Sequence, residues 1–306
     1  MKQAYTHNRK FSAKSKSLIS MMNELLQSYS DRGFVLTVRQ LYYQMVARGH
    51  IDNNQKVYKS LASLINDARM EGLLDWDALI DRTREITKKA NWTSPADIVD
   101  AAASSFHRDL WRGQKTRVIL IVEKEALVGV LERAAEEFDL HMLAARGYPS
   151  VTVVRQMVRG VMWRAARQGQ RIKILHFGDH DPSGLDMTRD LKERIAIFNE
   201  GSCPWELKRM ALNMDQVEEY NPPPNPAKSE DSRFEEYVAQ HGDSSWELDA
   251  LEPEVLLKLV SDEMQVTIDF DKWEAVKAQI DEEKERLREV AANFRQREED
   301  EGNDTE

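Results

Sequence analysis

The chain has 306 residues, enough for two domains with separate cores. Its one cysteine, Cys203, excludes an internal disulfide and any cysteine-based zinc site. The formal charge of −10 is uneven: residues 1–48 carry 8 Lys and Arg against 2 Asp and Glu, and residues 220–306 carry 10 against 25. Attraction to phosphate depends on a local basic patch, so an acidic tail does not exclude nucleic acid as a partner.

Taken in order, the opening Met1-Lys2-Gln3-Ala4-Tyr5 lacks the apolar core of a secretory leader. No apolar run approaches the roughly 20 residues that span a bilayer. The expectation is a cytoplasmic protein that makes no membrane contact. Residues 1–15 read as a basic arm. Leu18, Ile19, Met22, Leu25 and Leu26 form a helical apolar stripe over residues 16–30. Next comes Thr37-Val38-Arg39-Gln40-Leu41-Tyr42-Tyr43, with Thr37 as a helix N-cap and Gly49 as the residue past its end. Val38, Leu41, Tyr42 and Met45 share one face, which makes Tyr42 a core residue. Tyr43 falls off that face and is expected outside, beside Arg39 four residues earlier. By itself that is a surface pair. Residues 55–75 continue as a helix on Val57, Leu61, Leu64, Ile65 and Ala68. Arg82, Arg84, Lys88 and Lys89 suit either a basic wing or a solvated face. Residues 94–114 read as a connecting helix.

Arg117-Val118-Ile119-Leu120-Ile121-Val122 has the look of a buried parallel strand. It ends in Glu123-Lys124-Glu125-Ala126 and leads into a helix through Leu127, Val130 and Leu131. Arg146-Gly147-Tyr148-Pro149 forms a turn. Arg155, Arg159, Arg164 and Arg167 recur along the helix after it and would meet phosphate or water. A second strand enters through Arg171-Ile172-Lys173-Ile174. It delivers Asp179-His180-Asp181-Pro182-Ser183-Gly184 at its end. Two strands that end in acids and lead into helices suggest one parallel sheet with a shared carboxyl edge. Glu123, Asp179 and Asp181 would meet there, and crowded carboxylates call for a divalent cation. Hard oxygen donors on rigid backbone suit Mg²⁺. The plainer alternative is an Asp-rich turn that caps the next helix.

The remainder is less informative. Tyr220-Asn221-Pro222-Pro223-Pro224-Asn225-Pro226 breaks regular structure. The acids around Trp246-Glu247-Leu248-Asp249 have no assignment. Trp273, Val276, Ile280, Leu287, Val290 and Phe294 mark a last helix, either a short coiled coil or one packed on the body. Residues 298–306 are expected to be disordered.

Val122-Glu123-Lys124-Glu125-Ala126, Gly147-Tyr148-Pro149 and Asp179-His180-Asp181-Pro182-Ser183-Gly184 together resemble the TOPRIM domain of the topoisomerase VI A subunit and Spo11 family. Arg39-Gln40-Leu41-Tyr42-Tyr43 resembles that family's R-x-[LI]-[YF]-Y motif, which a helix-turn-helix domain carries. The resemblance implies an α/β chain: a winged-helix domain with a basic arm over residues 1–98, a connector over 99–114, and a TOPRIM-type domain with a helical acidic tail over 115–306. It implies Tyr43 as nucleophile with Arg39 beside it, Mg²⁺ on Glu123, Asp179 and Asp181, and double-stranded DNA near Tyr148, Arg146 and Arg155.

The expected chemistry is transesterification. A free phenol has a pKa near 10, so Tyr43 needs activation. Arg39 is placed to stabilise the developing charge. The product would be a 5′-phosphotyrosyl link, and a homodimer would cut both strands. His176 and His180 are structural or move protons. Strand passage in the family needs a separate ATPase subunit, and no Gly-rich phosphate loop appears here. Two alternatives stand beside this reading. One is a TOPRIM nuclease that uses water in place of Tyr43. The other is a non-catalytic winged-helix DNA binder.

Overall fold

The computed structural model describes residues 2–6, 9–80 and 91–303. Three helices come first: α1 (Ala13–Asp31), α2 (Val38–Ala47) and α3 (Gln55–Met70). Thr37 and Gln40 cap α2 reciprocally, each side chain bonding the other's backbone N–H. Gly49 follows the helix with φ +70°, a conformation that glycine adopts freely. Ile19, Met22, Leu41, Met45, Leu61 and Ile65 close one apolar core between the three helices. The expected wing residues Arg82, Arg84, Lys88 and Lys89 lie outside the described residues.

The helical wheel fails at Tyr43. Its side chain is only 6% exposed and shares the core with Tyr42, whose ring meets it edge-on at 5.1 Å. One face of α2 packs on α1 and α3. A short turn from far down the chain, Leu248–Ala250, covers another face. A wheel registers the first contact and is blind to the second.

After α4 (Pro95–Ser105) the chain builds a four-stranded parallel sheet: β1 (Thr116–Val122), β2 (His141–Ala144), β3 (Arg171–Phe177) and β4 (Trp205–Ala211), in the order β2-β1-β3-β4. Alternation along the strands divides two cores. Val118, Leu120, Val122, Leu175 and Phe177 face α5 (Val128–Glu137) and α11 (Pro253–Thr267). Ile119, Ile121, Ile172 and Ile174 face the other side. That side is covered by α8 (Pro182–Asn199) and by α6 (Val151–Met157), which passes through a π-helical turn at Val158–Met162 into α7 (Trp163–Arg167). The chain moves one way from β1 to β2 and the other way from β3 to β4. The order reverses between β1 and β3, and open α/β sheets bind their ligands at such a point.

Between β4 and α11 lie α9 (Met214–Tyr220), a two-residue ribbon of β5 (Asn225–Pro226) and β6 (Ser244–Ser245), and α10 (Phe234–His241). The last helix, α12 (Phe270–Asn303), continues through residues expected to be disordered. It buries Trp273, Ile280 and Ala291, while Val290 and Phe294 stay exposed. The apolar heptad therefore breaks. α12 packs along α4, with ion pairs Arg108–Glu283 and Arg295–Asp100. The expected connector is thus one half of a helix pair.

Candidate active site

β1 and β3 end side by side, with Val122 opposite Phe177. The Glu123 N–H bonds the Phe177 carbonyl at 2.9 Å, which carries the pairing one residue past the strand. Beyond β3, Gly178 is clamped to the end of β4. Its N–H reaches the Ala211 carbonyl at 2.8 Å, and its carbonyl takes the Leu212 N–H at 2.7 Å. The Asp179 N–H then donates to Glu123 Oε2 at 3.0 Å. Asp181 caps α8, accepting the Gly184 N–H at 2.6 Å and the Ser183 hydroxyl at 3.0 Å. The capping expectation thus holds: Asp181 closes the helix, and its charge also acts on Glu123. The glycines are needed for space. A Cβ on Gly178 would lie 2.8 Å from Glu123 Oε2, and one on Gly184 would lie 2.3 Å from the Asp179 carbonyl oxygen.

Crowding and burial show in the charges. Burial first, then the Asp179 charge, push the Glu123 carboxyl up to about 7. Burial also raises Asp179, although Lys124 lies 2.9 Å from its Oδ2 and the Leu248 N–H lies 2.7 Å from its Oδ1. Lys124 is 12% exposed and also contacts Glu247 and Asp249. Both of these acids bond Arg39 as well, Glu247 at 3.0 Å to Nη2 and Asp249 at 2.9 Å to Nε. A continuous chain of charges therefore runs from α2 to the sheet edge: Arg39, Asp249, Lys124, Asp179.

The Tyr43 ring lies beneath Arg39, whose guanidinium carbon is 5.6 Å from the ring centroid. Burial first, then the Asp249 charge, push the Tyr43 phenol up to about 12, against the pull of the Arg39 charge. Tyr43, Arg39, Tyr58, Asn225 and Lys228 line one cleft of about 700 Å³. Lys228 reaches Asp181 Oδ2 at 3.4 Å, so this cleft adjoins the acid group.

The expected DNA residues differ in their settings. Tyr148 is 43% exposed, but its hydroxyl donates to Asp186 at 2.6 Å, and Asp186 also holds Arg233. Asp186 serves that network and not the acid group. Arg146 is paired in a fork with Glu125 at 2.6 and 2.9 Å. Arg155 is exposed in the last turn of α6. His180 is enclosed by Tyr237, His241 and Trp246, and burial lowers it to about 4. This is a structural setting, as is that of His176, whose Nδ1 meets the Thr188 hydroxyl at 3.0 Å.

Sequence reasoning missed Arg209. It leaves β4 and inserts beneath the Asp179 turn. It donates to the carbonyls of Gly178 at 2.9 Å and Gly184 at 3.0 Å, to that of Asp179, and to the Thr188 hydroxyl at 2.6 Å. Nothing in Trp205-Glu206-Leu207-Lys208-Arg209 separates this arginine from a surface one. Glu247 and Asp249 were visible as unassigned acids, but their partners were not.

Among the described residues, no three His, Cys, Asp or Glu side chains are gathered closely enough to hold a metal ion. The chemistry of the donors still suits a hard cation, because Glu123 and Asp179 are both held above the usual carboxylate range. The side chain of Lys228 is 66% exposed and free to leave Asp181. Comparison of the chain with protein-family models, with curated proteins and with solved structures returns no match.

Proposed function

We propose that this protein cuts the DNA backbone by phosphoryl transfer, with Tyr43 as nucleophile and Mg²⁺ on Glu123, Asp179 and Asp181. One observation carries the reading: Tyr43 and Arg39 line the same cleft as Lys228, the lysine that holds Asp181. The reading treats α1–α3 as a winged-helix-type body and the sheet as TOPRIM-type. Support for the second comes from a glutamate after β1 and an Asp-x-Asp pair after β3, on neighbouring strands at the switch point.

In the proposed step, Tyr43 Oη attacks phosphorus, an oxygen–phosphorus bond forms and the bond to the 3′ oxygen breaks. In net terms the phenol proton passes to that departing oxygen. Arg39 stabilises negative charge on the attacking oxygen and the phosphoryl group. When bound, Mg²⁺ supplies Lewis acidity toward the phosphate. Double-stranded DNA is the substrate, and a homodimer would cut both strands.

The burial of Tyr43 and its raised pKa favour a second reading, in which water attacks and Tyr43 only shapes the cleft. Incubation with supercoiled plasmid and Mg²⁺ or Mn²⁺, quenched in SDS, separates the two. Tyrosyl transfer predicts cut DNA that enters a gel only after proteolysis and is lost in Tyr43→Phe and Asp179→Ala. Protein-free ends, unchanged in Tyr43→Phe and lost in Asp179→Ala, would establish hydrolysis.

A further inference from the structure

The proline-rich segment carries Lys228 into the cleft that Tyr43 lines. Its backbone is fixed on both sides. Asn225 and Pro226 pair with Ser245 and Ser244, the Ala227 N–H donates to the Asp243 carbonyl at 2.8 Å, and the Lys228 carbonyl accepts the Asp231 N–H at 3.1 Å. The Lys228 side chain is held far less. It is 66% exposed and meets Asp181 Oδ2 at 3.4 Å, and an exposed pair of that length contributes little. A fixed backbone under a loosely held ammonium makes an anchor whose head can change partner.

Among the described residues, Arg39 and Lys228 are the two cations on the wall of this cleft. They are not equally available. Arg39 is bonded to Asp249 at 2.9 Å and to Glu247 at 3.0 Å, and the Asp249 side chain has no solvent exposure. Freeing that guanidinium leaves a buried carboxylate with one cation fewer, which is costly. Lys228 gives up a single long contact. Asp181 loses little in the exchange, because its Oδ1 keeps the Gly184 N–H at 2.6 Å and the Ser183 hydroxyl at 3.0 Å. Lysine meets phosphate as a point charge on a flexible stem, so it needs no fixed approach angle.

We propose that Lys228 is a substrate-binding residue that exchanges Asp181 for a DNA phosphate in the Tyr43 cleft. In the free protein Asp181 holds the ammonium. When a duplex enters the cleft, the ammonium turns to the DNA backbone and Asp181 Oδ2 is released. Phosphate binding on one side of the site thereby uncovers a carboxylate oxygen on the other. No covalent bond forms or breaks. The inference rests on DNA being the substrate of this cleft. It makes the segment between β4 and α11 part of the DNA-binding surface, alongside the tyrosine helix.

The test follows binding of a labelled duplex by fluorescence anisotropy across a salt series, in EDTA so that neither cutting nor a divalent cation intervenes. Lys228→Gln should weaken binding several-fold at low salt and flatten the plot of log affinity against log salt by roughly one. Lys228→Arg should keep the slope. Lys258→Gln removes an exposed lysine outside the cleft and controls for net charge, so it should leave the slope in place. Asp181→Asn keeps a capping side chain and removes the competing charge. It should tighten binding several-fold in the wild-type background and by much less when combined with Lys228→Gln. Equal gains in both backgrounds would mean that Asp181 merely repels DNA, which overturns the exchange. Where Asp181→Asn fails to fold by circular dichroism, the Lys228 variants and the Lys258 control decide the matter. A Lys228→Gln effect that is absent, or no larger than that of Lys258→Gln, overturns the inference, and plasmid cutting by the wild type would leave the proposed function standing. A wild type that binds no duplex at low salt overturns both.

Discussion

His176 is buried inside β3 with no solvent contact, and its Nε2 has no hydrogen-bond partner among the described residues. Burial first, and the Arg209 charge second, hold its imidazole down to about 3. An unfolded chain protonates histidine near pH 6.5. Above that pH, His176 is neutral in both states. As the pH falls from 6.5 toward 3, the unfolded chain takes a proton that the folded one refuses, and stability drops. The expected loss from this residue between pH 6.5 and 4 is about 2–3 kcal/mol. Urea unfolding of wild type and His176→Asn across that range measures it: the variant should show the shallower acid slope, and equal slopes would sink the assignment. Glu123 works in the opposite sense. Its folded pKa is raised, so its contribution is present below about 4.5 and is lost as pH rises toward 7. The two residues also differ in how far sequence reveals them. Glu123, Asp179 and Asp181 stand at strand ends, where local pattern exposes them. Lys124 and Asp249 gain their roles from partners 125 or more residues away.

The junction of β3 with α8 shows how an element sets the site. Gly184 lies in the first turn of α8 and lets it close on Asp179. A methyl there would stand 2.3 Å from a backbone carbonyl, which cannot swing aside as a flexible side chain does. Gly184→Ala should cost about 1–3 kcal/mol, the usual range for overpacking, and should abolish plasmid cutting. Gly160 provides the contrast. It sits in the π-helical turn, and a Cβ there meets nothing within 4 Å. Gly160→Ala should therefore be neutral or add up to about 1 kcal/mol, the helix-propensity difference. Thermal melts of the pair test this, and similar losses in both would show that space at Gly184 is not the constraint. Both strand–helix junctions were readable, because Val and Ile runs followed by acids, Pro and Gly mark them locally. The full length of α12 was not. Its charged second half gives no apolar signal, and it runs along α4 through Ala291 and through ion pairs whose other partners are Arg108 and Asp100.

Across the whole molecule, the helical body of α1–α3 is tied to the rest by acids from residues 247–254. Arg39 holds Glu247 and Asp249, Arg48 holds Glu252, Arg32 holds Glu254, and the Tyr29 hydroxyl donates to Glu252 at 2.5 Å. The exposed pairs contribute little each and weaken in salt. The Arg39–Glu247–Lys124–Asp249 group differs, because Lys124 and Asp249 are shielded from water. Under the proposed function, Arg39 must meet a phosphate, yet in this structure its guanidinium is engaged by two carboxylates. Glu247 and Asp249 therefore compete with DNA for one cation. Glu247→Gln removes one competitor and leaves Lys124 with Asp179 and Asp249, so the fold should survive. DNA affinity at low salt should rise several-fold. The plot of log affinity against log salt should steepen by roughly one, as one more phosphate contact releases a counterion. Anisotropy titrations of a labelled duplex at a series of salt concentrations read both quantities. An unchanged affinity and slope would mean that Arg39 stays with its carboxylates when DNA binds. The tyrosine helix would then have to reach phosphate through Lys228, the other cation on that cleft wall.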